Sequence, residues 1–84
     1  MKKRKLLQKA ITGPKNIRFN EVIALAEAFG FRLNRIAGSH HIYSHPGVLE
    51  LVNLQDDEGK AKPYQIRQLL KLVERYNLKM EDEE

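Results

Sequence analysis

Apolar residues recur at two different periods along the chain, and the changes of period mark out its elements. In "MKKRKLLQKAIT" the residues Leu6, Leu7, Ala10 and Ile11 fall at helical spacing and Gly13-Pro14 stops the run. A short amphipathic helix or basic arm is therefore expected over residues 1–18. In "IRFNEVIALAEAFGF" Val22, Leu25, Ala26 and Phe29 share one face, Asn20 reads as the N-cap, Glu21 lies in the first turn and Gly30 is the stop. This predicts a helix from about Glu21 to Phe29, with Phe19 placed to fold back as a hydrophobic staple.

From Phe31 the period becomes two. "FRLNRI" sets Phe31, Leu33 and Arg35 against Arg32, Asn34 and Ile36, the pattern of a half-buried strand. Ala37-Gly38 turns the chain, "SHHIYS" is a second strand, "HPG" a second turn, and "VLELVNL" a third strand suited to a packed position. Strands so close in sequence pair as antiparallel hairpins, because a parallel crossover needs about a dozen residues or more. "QDDEGKAK", residues 55–62, reads as a polar loop, after which Pro63 opens a last helix. There Ile66, Leu69, Leu70, Val73 and Tyr76 line one face, while Arg67, Lys71 and Arg75 recur every four residues on another. The expected fold class is α+β: helix, three-stranded antiparallel sheet, helix, with an extra N-terminal basic helix or arm and both main helices free to cover one sheet face.

Eighty-four residues make one domain, and with 42% hydrophobic and 31% charged residues its core is thin. An active site, if present, is expected to be shallow. No apolar run approaches the roughly 18 residues of a membrane span, and the "LL" after "MKKRK" is too short for a signal-peptide apolar region, so a cytoplasmic location is expected. The absence of cysteine excludes a disulfide framework and a thiolate metal site. The net charge of +4 understates an asymmetry: "EDEE" at residues 81–84 holds four of the eleven acids, so 15 cations face seven acids over residues 1–80, a net +8. A field of that sign favours a polyanion, and nucleic acid is the natural one, against the plainer reading that lysines and arginines only solvate helix faces. The acidic tail reads as disordered.

All three histidines, His40, His41 and His45, fall within six positions just after a glycine. As metal ligands they lack a recognised spacing. As structural groups they would hydrogen-bond a turn, a role that His45 in "HPG" fits best. As acid–base groups they need only a surface position beside a substrate, and RNA supplies its own nucleophile in the ribose 2′-OH. Strand alternation puts His40 with Ile42 and His41 with Tyr43. Taking Ile42 as the better core residue turns His40 inward and His41 outward, unless the strand begins only after His40.

"AFGFRLNRIAGSHHIYSHP", a hydrophobic strand and then "KPYQIRQLLKLV" together closely resemble the HicA-type (YcfA-like) toxins of bacterial and archaeal toxin–antitoxin modules, over about residues 20–78. The resemblance implies a fold like that of the double-stranded-RNA-binding domain (dsRBD-like) over residues 19–80. It also implies an mRNA interferase that cuts RNA without metal or other cofactor and is restrained by a HicB-type antitoxin, with no membrane partner. It places the catalytic histidine on His40, directly after Gly38-Ser39, with His41 as the alternative where members carry Gly-Ser-x-His. Gly38 and Ser39 would shape the turn and Ser39 would contact phosphate, while Arg32, Arg35, Lys60, Lys62, Arg67 and Lys71 would lie near RNA. Two departures stand out: the arm before Phe19 is extra, and many members end the third strand with Pro-x-His where this chain has Asn53 to Gln55. A noncatalytic RNA-binding domain of the same fold is the competing reading.

Overall fold

The computed structural model describes residues 3–81. Helix α1 (Lys3–Thr12) leads through a short 3-10 turn at Pro14–Asn16 into α2 (Phe19–Ala28). The chain then makes the strands β1 (Arg32–Ala37), β2 (His40–His45) and β3 (Val48–Gln55), and ends in α3 (Pro63–Arg75). The strands form one antiparallel meander in the order β1-β2-β3. This is the α+β order expected from the periodicity, and it matches the dsRBD-like order that the resemblance implies. None of the described helices is long and apolar enough to cross a membrane.

The N-terminal segment forms a packed helix. Leu6 and Ala10 are buried and join the core shared by α2, the sheet and α3, and Lys9 Nζ donates to both Glu21 carboxylate oxygens at 3.2 Å. Gly13-Pro14 stops α1 as expected, the Gly13 N–H closing the last turn onto Lys9 O at 2.8 Å.

The N-cap of α2 is Arg18, two residues before the expected Asn20, so Phe19 lies inside the first turn. The reason is Glu21, which stands three residues after Arg18 and accepts its backbone N–H at 2.9 Å. That N–H, ahead of the Lys9 ammonium, holds the Glu21 carboxyl below the usual glutamate range. A depressed folded pKa gives stability that is complete above the ordinary glutamate value and is lost as pH falls through the folded value. Glu21→Ala is expected to cost about 1 kcal/mol in urea unfolding at neutral pH, with the gap to wild type closing in acid.

The end of α2 aims the chain into the sheet. Phe31 N–H donates to Ala26 O at 3.1 Å and Gly30 N–H to Glu27 O at 3.0 Å, with Gly30 at a φ of +95°. That φ favours glycine, and a Cβ there would also crowd the His45 ring at 3.0 Å and displace the Glu81 carboxylate, 2.9 Å away. Phe31 is fully buried.

β1 departs from the half-buried strand that its alternation predicts: every one of its residues is exposed, Leu33 at 48% and Ile36 at 55%. It is an edge strand, while α2 and α3 pack chiefly over β3. A bulge at Asn34 also breaks the alternation, since Leu33 faces Tyr43 but Arg35 faces Ile42.

The covered face of the sheet is built on Tyr43, Val52 and Leu54, all buried, with Phe31 packed beside them. Beneath α3 lie Ile66, Leu69 and Leu72, with Leu70, Val73 and Tyr76 half-buried at the margin. The loop from 55 to 62 is more ordered than its polarity implies. Phe19 N–H donates to Gly59 O at 2.9 Å and Ala61 N–H to Ile17 O at 3.0 Å, which ties the loop to the entrance of α2. Of the acidic tail, Glu81 is held by Arg32 at 2.9 Å and by its N–H on Ala28 O at 2.7 Å. The expected disorder of the remaining tail, and the first two residues of the basic arm, lie outside the described residues.

Candidate active site

The parity of β2 is opposite to the one that Ile42 suggests. Tyr43 lies across from Val52 and His41 across from Leu54, so both face the helices, whereas His40 and Ile42 face the open side. The larger tyrosine ring fills the space under the helices and leaves Ile42 half-buried on the other face. His40 is thus the outward histidine and His41 the inward one, and β2 begins at His40 itself.

Gly38-Ser39 is a two-residue hairpin loop between the paired Ala37 and His40. Gly38 has a φ of +62°, which such a loop requires of its first central residue. The loop is latched to the end of β3: Asp56 N–H donates to Ser39 O at 2.9 Å, and Gln55 Nε2 donates to Ser39 Oγ at 3.3 Å. Across the ladder His40 pairs with Gln55, and its Nδ1 lies 3.0 Å from Asn53 Oδ1. An amide oxygen only accepts, so in the neutral ring an Nδ1–H that donates to Asn53 leaves the lone pair on Nε2. A half-buried imidazole on an open sheet face, with one ring nitrogen held by an amide oxygen, can take a proton from a bound hydroxyl group on the other.

The other two histidines point elsewhere. His41 packs edge-on against Phe19, with ring centroids 4.9 Å apart, and its Nδ1 lies 3.4 Å from Ser39 O. His45 accepts the Gly47 N–H on Nδ1 at 2.8 Å and packs against Phe31 at 5.2 Å, a turn-holding role. The three rings do not converge, and the described residues hold no group of three or more histidine and acidic side chains placed to share a metal ion.

The six cations named from sequence separate into two kinds. Arg35 shares the open face with His40, about 7 Å along the sheet. Arg67 and Lys71 are exposed on α3, and Lys60 is exposed in the loop. Arg32 stands at the far end of the hairpin from His40, opposite Ser44, and is engaged by Glu81, Glu27 O and Phe31 O at 2.8–3.1 Å. It ties the C-terminal segment to the sheet and is not close to His40. Lys62 stands 3.8 Å from Asp57.

Asn53 is the candidate site residue that sequence reasoning missed. The sequence shows it only as a departure from Pro-x-His, and its meeting with His40 becomes visible only once the register of β2 on β3 is known.

The family model described as the HicA toxin of bacterial toxin–antitoxin systems matches residues 19–74, from the first residue of α2 almost to the end of α3. No curated protein matches the chain closely enough to count as a relative.

Proposed function

The chain belongs to the HicA toxin family, and from that premise we propose that it is a metal-independent endoribonuclease that cuts mRNA with His40 as general base. The observation that carries this reading is the Nδ1 contact of His40 with Asn53 on the open face of the sheet, which leaves Nε2 on the side of the ring away from that amide. Nε2 takes the proton of a ribose 2′-OH, and the 2′-oxygen bonds to the adjacent phosphorus. The P–O5′ bond breaks, and the leaving oxygen takes a proton from water. The products are a 2′,3′-cyclic phosphate and a 5′-hydroxyl. Arg35, on the same face as His40, and the Ser39 hydroxyl, next to it in the chain, would stabilise charge growing on the phosphate oxygens. A HicB-type antitoxin silences the protein by covering this shallow face.

Gln55 occupies the position where a second histidine would stand, and its amide does not titrate. The rate of cleavage is therefore expected to rise with pH through one ionisation and then level off, without the falling limb that a second histidine acting as acid would add. Asn53 is a positioning residue. Asn53→Asp places a carboxylate on Nδ1, favours the charged imidazole and is expected to move the rising limb up by about one pH unit or more. Asn53→Leu should lower kcat about tenfold with little change in KM. These pH profiles, measured on a labelled single-stranded RNA, test the assignment. A bell-shaped curve that both Asn53 variants leave in place would overturn His40 as the base.

A further inference from the structure

Along the exposed side of α3, where the helix runs beside β3, lies a groove of about 480 Å³. Its long wall is a single stripe of the helix, Tyr64, Arg67, Lys71 and Arg75, and Glu50 of β3 forms the opposite side. We propose that this groove holds the RNA strand flanking the cleaved phosphate, with one base stacked on Tyr64 and successive phosphates on Arg67 and Lys71. The proposal rests on the ribonuclease reading and adds to it a subsite outside the reacting centre.

Three observations select single-stranded RNA as the occupant. The first is charge. Arg67 and Lys71 make no ion pair among the described residues. Glu50, the acid of the lining, is already engaged by Tyr76 Oη and Arg75 at 2.6 Å each, so it does little to repel a phosphate. The second is spacing. Residues four apart on a helix stand about 6 Å apart along its axis, near the phosphate repeat of an extended single strand.

The third is the position of Tyr64, which is 57% exposed. Its hydroxyl accepts from Gln65 Nε2 at 3.4 Å, while buried Gln65 Oε1 accepts the backbone N–H of Gln55 at 2.8 Å. Gln55 is the ladder partner of His40. The Tyr64 end of the groove therefore opens beside the end of β3 that carries the His40 pair. A strand leaving that point would cross the edge of β3 and meet the ring first and the cations after it. An exposed tyrosine pinned by its hydroxyl, followed by evenly spaced cations, is the combination by which proteins hold single strands without reading sequence.

The test uses the full chain and two probes: a ten-nucleotide RNA made wholly of 2′-O-methyl residues for binding, and a ribodinucleotide for cleavage. Tyr64→Ala is expected to weaken binding of the decamer about tenfold, and Tyr64→Phe to change it less than twofold, because the ring face remains. Arg67→Ala and Lys71→Ala should each weaken binding and lower the slope of log affinity against log salt by about one. Cleavage of the dinucleotide, too short to reach the groove, should be the same in Tyr64→Ala as in wild type. Decamer binding that none of these variants changes would overturn the proposal. So would a Tyr64→Phe as weak as Tyr64→Ala, since it would make the residue a support for Gln65 and not a stacking surface. If wild type leaves an unmodified RNA decamer of the same sequence uncut while the losses in binding of the 2′-O-methyl decamer persist, the ribonuclease reading falls and the groove stands.

Discussion

His40→Ala is expected to lower RNA cleavage by about 10² to 10⁴-fold, the usual contribution of a positioned acid–base group, while the variant folds as wild type does. The fold should tolerate the change because His40 lies on the open face of the sheet and outside the core cluster. His41→Ala is the informative contrast. His41 is on the covered face against Phe19, so its loss should lower stability and leave cleavage by the folded fraction close to wild type. Cleavage rates normalised to the folded fraction, taken from circular dichroism on the same samples, separate the two. A His41→Ala enzyme that is folded and inactive beside an active His40→Ala would reverse the assignment.

Phe31→Ala should be the most destabilising single truncation. The ring is fully buried, follows directly on the glycine turn that ends α2, and packs on His45, so its removal opens a cavity where the helix layer meets the sheet. Truncations of this kind cost about 3–5 kcal/mol. A chain this small has a total stability on the order of 5–10 kcal/mol, so the variant should be at or near unfolding at 37 °C. Urea unfolding checks this, and a loss below about 1 kcal/mol would show that Phe31 does not join the two layers.

Much of the architecture was legible from local signals. The stops at Gly13-Pro14 and Gly30, the turns signalled at Ala37-Gly38, which falls one residue later at Gly38-Ser39, and at Pro46-Gly47, and Pro63 at the start of α3 act within a few residues of themselves, and each lies at or beside an element boundary. The faces of the sheet were not legible. Local alternation pairs His40 with Ile42 but cannot say which face the helices cover, and that depended on Tyr43 outcompeting Ile42 for the space opposite Val52. The bulge at Asn34 then broke the alternation of β1, an edge strand away from β3, over which α2 and α3 chiefly pack. The start of α2 was missed for a similar reason: Arg18 is a poor capping residue by its own side chain, and it caps because Glu21 reaches back to its N–H. At the site, the histidine cluster and its glycine turn were visible in sequence, whereas Asn53 comes from another strand and needs the register to be found.

The central claim is cleavage by the substrate's own 2′-hydroxyl with His40 as base, and the most direct measurement is of the ends that cleavage leaves. Wild-type protein would be incubated in EDTA with a labelled single-stranded RNA and with the same RNA carrying one 2′-deoxynucleotide on the 5′ side of the cleaved phosphate. The expected result is 2′,3′-cyclic phosphate and 5′-hydroxyl ends on the first and no cut at that position on the second. Cleavage of the 2′-deoxy position, or 5′-phosphate ends, would contradict it, because a water nucleophile would then be doing what this account assigns to the ribose.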